Sequence, residues 1–105
     1  MIHVALIVTL AAGLAIAATG DAATTPRVQI KEFAFVPAKL TVPVGTAVTW
    51  TNADDETHTV TAVDRAYTST ALEHNATYAH RFTTPGTYTY FCMLHPHMTA
   101  TVVVQ

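Results

Sequence analysis

The sequence predicts an all-β domain, a sandwich or small barrel of about seven short strands. Three observations carry this. After Pro26 no segment holds a helical period; apolar residues alternate over short runs instead. Those runs are separated by Pro, Gly, Asn and Asp, the residues that make turns. Threonine recurs throughout, and its branched side chain favours strands.

Each element follows from the same reading. Residues 27–35 (RVQIKEFAF) alternate around Val28 and Ile30, then around Phe33 and Phe35. Pro37 interrupts, and residues 39–42 form a short strand. Pro43, Val44 and Gly45 supply a turn, after which AVTWT (47–51) places Val48 and Trp50 on one face. NADDE (52–56) is a polar loop. HTVTAV (58–63) reads as a strand, followed by a less regular stretch, 64–75, with room for a short helix. Residues 77–82 alternate Tyr78, His80 and Phe82, so His80 is expected to be partly buried; His74 is expected to be structural as well. Pro85 and Gly86 turn the chain. In TYTYFC (87–92), Tyr88, Tyr90 and Cys92 share one face, and Thr89 and Phe91 share the other. TATVVV, from Thr99, closes the domain.

The 105 residues suffice for one domain. Residues 2–18 (IHVALIVTLAAGLAIAA) are apolar and end in small residues, with Ala15 and Ala17 forming an A-x-A pattern. This is the layout of a secretory signal, although no Lys or Arg precedes it. An uncleaved membrane anchor is the competing reading, since roughly 17 apolar residues can just span a bilayer; a buried N-terminal helix is the third. Residues 1–26 are therefore assigned to a signal peptide or anchor with a flexible lead-in, and 27–105 to the folded domain. Signal and anchor both imply export, and the periplasm is the expected location. A domain of this size buries a limited core and gains from a metal or a disulfide. The net charge is −2 and only 11% of residues are charged, with no basic stripe for nucleic acid.

The chain has one cysteine, six histidines and three methionines. A lone thiol in an exported protein cannot form an internal disulfide, so it is free, intermolecular or bound to something. From Cys92 the chain reads CMLHPHM, which spaces Cys92, His95 and Met98 as C-x2-H-x2-M between the last two strands. His58 opens a separate strand after the polar loop, and loops at one end of a sandwich gather together. A thiolate, two imidazoles and a thioether form a selective set. A thioether is a poor zinc ligand, whereas two His, one Cys and a weak axial Met describe an electron-transfer copper site.

These residues resemble the cupredoxins, the small blue-copper proteins, and within them the amicyanin and plastocyanin-like branch. The likeness rests on VGTAVTWTN (44–52), HTV (58–60), FTTPGTYTYFCMLHPHM (82–98) and TATVVV, and covers nearly all of the chain from Arg27. It implies a Greek-key β-sandwich with one copper ion near one end, cycling between Cu(II) and Cu(I). His58, Cys92 and His95 would be equatorial ligands and Met98 the axial one. His95, ringed by apolar residues, would be the electron's exit. The implied partners are redox proteins docking near His95, a dehydrogenase or cytochrome as donor and a cytochrome as acceptor, with the protein itself a monomer. Three departures stand out. Leu94 occupies a position where the branch usually has Pro, and its N–H can donate to the Cys92 sulfur, which would raise the potential above that of a Leu94→Pro variant. Thr59 stands where many relatives carry Asn, and His97 where an aromatic residue is common.

Rival functions fit less well. Cys92 as a nucleophile, with His58 or His95 as its base, would leave Met98 without a role; no enzyme is expected. A dinuclear copper site needs two cysteines. The alternative is a periplasmic copper carrier or buffer on the same fold, which would exchange metal readily and need not cycle it.

Overall fold

The computed structural model describes residues 25–105. The N-terminal signal or anchor expected over residues 2–18 lies outside them. Eight strands follow in chain order: β1 (Arg27–Lys31), β2 (Ala34–Val36), β3 (Lys39–Val42), β4 (Thr46–Asn52), β5 (Thr61–Ala62), β6 (Thr77–Phe82), β7 (Gly86–Phe91) and β8 (Thr99–Val104). They build two four-stranded sheets, ordered β2-β1-β4-β6 and β3-β8-β7-β5. β1 pairs parallel to β4 and β3 parallel to β8, while the other pairs are antiparallel. This is the all-β sandwich expected, with close to the expected number of strands. The stretch 64–75 carries no helix; it is tied down by isolated bridges, His58 to Leu72 and Thr61 to Thr68.

Period-two alternation turns one face of each sheet inward. Val28 and Ile30 of β1, Val48 and Trp50 of β4, Tyr90 of β7 and Val102 of β8 are all fully buried. The Trp50 indole meets Tyr90 edge-on at 5.4 Å between centroids and lies within 5.8 Å of Tyr78 and 6.4 Å of both Phe82 and Tyr67. Such aromatic pairs contribute about 0.5–1.5 kcal/mol each beyond their buried area. His80 is half-buried as expected, stacked on Tyr67 at 4.2 Å, and burial lowers its pKa. The Pro43–Thr46 turn is closed by a Thr46 N–H to Pro43 carbonyl bond, with Gly45 at φ 91°, a conformation that Gly adopts freely.

Two elements differ from expectation. The run 27–35 is not one strand. It doubles back through a two-residue turn at Glu32 and Phe33, with Lys31 opposite Ala34. The phase shift between Ile30 and Phe33 in the sequence marks this break. Both turn residues have positive φ, 53° and 57°, a backbone that costs an ordinary L-residue about 1–2 kcal/mol. The run 58–63 is likewise mostly not strand. His58 to Val60 leaves the sheet and pairs with the segment that follows: the Ser69 N–H bonds the Val60 carbonyl, and the Val60 N–H bonds Ser69 Oγ.

Candidate metal centre

The four residues singled out by their chemistry come from two places at one end of the sandwich. Asn52, fully buried at the end of β4, shapes the first. Its Nδ2 donates to the carbonyls of Glu56 and Leu72 at 2.8 Å each, and its Oδ1 accepts the Asp54 N–H at 2.9 Å. One side chain thus closes the loop before His58 and ties it to the bridge at Leu72. His58 exchanges backbone hydrogen bonds with Leu72 in both directions, and its ring is fully buried.

The β7–β8 loop shapes the second place. Phe91 and Thr99 are the last opposed pair of the two strands, so 92–98 is the loop between them. It folds on itself through backbone bonds: the His95 N–H to the Cys92 carbonyl, the Met98 N–H to the His95 carbonyl, and the Cys92 N–H to the Met98 carbonyl. These bonds turn the chain back so that His95 and Met98 return toward the cysteine. Cys92 is fully buried, Met98 is 3% exposed and His95 is half-buried.

Cys92 Sγ lies 3.7 Å from Nδ1 of His58 and 3.7 Å from Nδ1 of His95. The three donor atoms fall within 4.8 Å of one another. An ion centred in a plane of one sulfur and two nitrogens, with bonds of about 2.3 and 2.0 Å, would separate sulfur from nitrogen by about 3.7 Å. The two sulfur–nitrogen separations therefore fit a single ion held by these donors, and the soft thiolate selects copper over harder metals.

The surroundings of the donors add contacts that the sequence did not show, at Thr59, noted there as a departure from the family's Asn, and at Asp54. The Thr59 N–H donates to Cys92 Sγ at 3.3 Å, and its Oγ1 accepts the Met93 N–H at 2.9 Å. Thr59 thereby links the two ligand-bearing segments itself. Leu94 does not take the role expected of it: among the described residues the backbone donor to the sulfur is Thr59, and the Leu94 side chain is exposed. The loop is tightened by the His95 N–H instead, which removes the basis for a Leu94→Pro effect on the potential. His97 is exposed, and His74 bonds the Asp54 carbonyl at 3.0 Å, a structural role as anticipated.

Asp54, read in the sequence as part of a polar loop, lies against the site. Its Oδ2 is 2.8 Å from Nε2 of His58. Burial pushes the Asp54 carboxyl up, but the N–H groups of Phe33 and Glu32 and the His58 ring outweigh it, and its pKa falls below the ordinary value. The Glu32 and Phe33 N–H groups already donate to the two Asp54 oxygens, so the carboxylate stands as an acceptor and Nε2 is the His58 nitrogen placed to donate to it, with Nδ1 facing the Cys92 sulfur. Above both rings lies Phe33, edge-on to His58 at 5.3 Å and to His95 at 5.1 Å.

A model of the Cupredoxin-like domain matches residues 3–104. The chain belongs to the cupredoxin-like family. This cupredoxin is 36% identical over 101 residues to amicyanin-alpha of Methylorubrum extorquens, covering 91% of this chain and 85% of that one. It is 32% identical over 114 residues to the chloroplastic plastocyanin of Tetradesmus obliquus, covering 90% and 79%. Among solved structures, an amicyanin variant in its reduced Cu(I) form superposes with a TM-score of 0.75 at 32% identity, over 84% of this chain and 89% of that one. The purple cupredoxin from Nitrosopumilus maritimus gives 0.73 at 29% identity, over 76% and 99%. The cofactor that the donor set of this cupredoxin fits, one copper ion, is the metal of its family.

Proposed function

We propose that this cupredoxin carries single electrons between redox proteins in the periplasm, with one copper ion held by His58, Cys92, His95 and Met98. The observation behind the reading is the convergence of one sulfur and two imidazole nitrogens within 4.8 Å, at the end of a buried core. Copper bound there would supply a one-electron Cu(II)/Cu(I) couple. The protein's part is to keep the donors where they are. Cys92 is shielded from water and takes the Thr59 N–H, which steadies negative charge on its sulfur. Hydrogen bonds across residues 92–98 fix the loop, so little needs to move when the charge of the site changes.

His95 is the ligand that reaches toward solvent. Beside it in the chain stand Met93 and Leu94, 52% and 53% exposed, and Phe33 packs on its ring. An apolar surface of this kind suits brief docking of a donor dehydrogenase or cytochrome and of an acceptor cytochrome. The reactive side chains of the cluster are committed to the metal, so the chain is read as a carrier and not as an enzyme.

The test is the visible spectrum of the purified protein after addition of Cu(II). An intense thiolate-to-copper band is expected, bleached by reduction and absent from Cys92→Ser. A colourless complex that exchanges copper readily would overturn the reading and favour a copper carrier or buffer.

Export rests on residues 1–26, whose sequence reads as a signal peptide or an N-terminal anchor. Cleavage behind Ala17 is expected, leaving Ala18 as the first residue of the mature chain. Intact-mass measurement on the periplasmic fraction checks this; a full-length protein held in the membrane fraction would instead establish an anchor.

A further inference from the structure

The geometry points to Asp54 as the positioning residue of the metal centre: one carboxylate sets which nitrogen of His58 faces the metal and holds Phe33 as a roof over both ligand imidazoles. The inference rests on the copper reading above and deepens it. Three donors converge on the two Asp54 oxygens. The Glu32 N–H reaches Oδ1 at 2.7 Å, while the Phe33 N–H at 2.9 Å and His58 Nε2 at 2.8 Å share Oδ2. Glu32 and Phe33 are both held at positive φ in this turn, and neither is Gly or Asn. Nothing in their own chemistry favours that turn. A carboxylate more than twenty residues along the chain supplies what the turn lacks, and the turn in return points the Phe33 ring at His58 and His95.

The consequences are chemical as well as structural. With its Nε2 hydrogen held by Asp54, His58 keeps Nδ1 free for the metal and becomes a stronger donor, because the carboxylate draws on that hydrogen. A negative charge so close favours the more highly charged Cu(II) and thus lowers the reduction potential. Phe33 covers the imidazole edges that would otherwise meet water.

Asn is the informative replacement, since it keeps the shape and offers one oxygen for three donors. In either orientation its amide N–H groups face at least one N–H. With the amide turned toward His58, the ring is driven to carry its hydrogen on Nδ1, the atom facing Cys92.

The experiment compares wild type, Asp54→Asn, Asp54→Ala and Phe33→Ala, with folding verified by circular dichroism. Long-range nitrogen–proton NMR on the copper-free and Cu(I) forms reads the His58 tautomer. Nuclear Overhauser contacts report the Phe33 ring against His58 and His95, and voltammetry gives the potential. The expected wild type has the hydrogen on Nε2 and a roofed site. In the copper-free protein both Asp54 variants should lose the single tautomer and the Phe33 contacts together; with copper bound, where a ligating Nδ1 itself keeps the hydrogen on Nε2, they should shift the potential upward. Phe33→Ala should keep the tautomer. Asp54 variants that fold with unchanged tautomer, contacts and potential would overturn the proposal. If wild type shows no thiolate-to-copper band, the copper reading fails by itself, and the tautomer of the copper-free protein still decides the role of Asp54. Should Asp54→Ala not fold, the isosteric Asp54→Asn carries the decision.

Discussion

Trp50→Ala is expected to remove about 3–5 kcal/mol of stability, the range for emptying a large aromatic site in a core. Domains of this kind hold roughly 5–15 kcal/mol in total, so the variant should be mostly unfolded well below the wild-type midpoint. The size of the effect follows from where the ring sits. Trp50 is fully buried, and Tyr90, Tyr78, Phe82 and Tyr67 all pack around it. Tyr90 comes from the opposite sheet, so the indole bridges the two halves of the sandwich. Tyr90, Tyr78 and Phe82 are themselves anchored in strands and can close only part of the gap. Urea unfolding of the copper-free protein checks the expectation: the midpoint should fall strongly in Trp50→Ala and much less in Trp50→Phe. Similar losses in both would mean that the ring's volume is not what matters.

The second large effect is expected at Asn52, where fold and site meet. Asn52→Leu keeps much of the volume and removes every hydrogen bond that the side chain makes to residues 54, 56 and 72. A buried acceptor left unmet costs about 1–3 kcal/mol, and the Leu72 carbonyl would keep only the His58 N–H. Because the loop from 53 to 57 positions both Asp54 and His58, the damage should extend past stability. Copper release to a competing chelator should speed up at least tenfold while the strands remain intact by circular dichroism. An Asn52→Leu variant with wild-type copper release would show that His58 is held by its bridge to Leu72 alone.

How far the sequence foretold this molecule depends on the range of the forces involved. β3 was readable only as a short run between two prolines and β8 by its Thr and Val content, whereas β6 was readable because inward and outward residues alternate and the strand is long enough to show it. The buried pair Val48 and Trp50 was readable for the same reason. The ligand quartet was readable because its donor chemistry is unusual and three of its members lie within seven residues. What escaped depends on partners distant in sequence. The turn at Glu32 and Phe33 carries no local turn chemistry; its support comes from Asp54. The run at His58 has a strand's pattern but pairs with Leu72 and Ser69, a segment whose own sequence has no period. Thr59 gave no sign of its link to Cys92 and Met93, since a backbone N–H is the same in every non-proline residue. The Asp54 signal was faint: a carboxylate four residues ahead of a ligand histidine, within a stretch that reads first as solvated charge.

β8 follows the other described strands in the chain, yet it is not at an edge. It lies between β3 and β7, and joins them. Until residues 99–104 have joined the fold, β3 has no partner and β7 has only the two-residue β5, so the second sheet exists only in part. The loop carrying Cys92, His95 and Met98 has its far end tied down by that same strand. A chain in which β8 has not yet docked therefore holds its thiol and imidazoles without the concerted grip that retains a metal. Order is built into the topology: a firm hold on the ion waits for β8 to dock between β3 and β7.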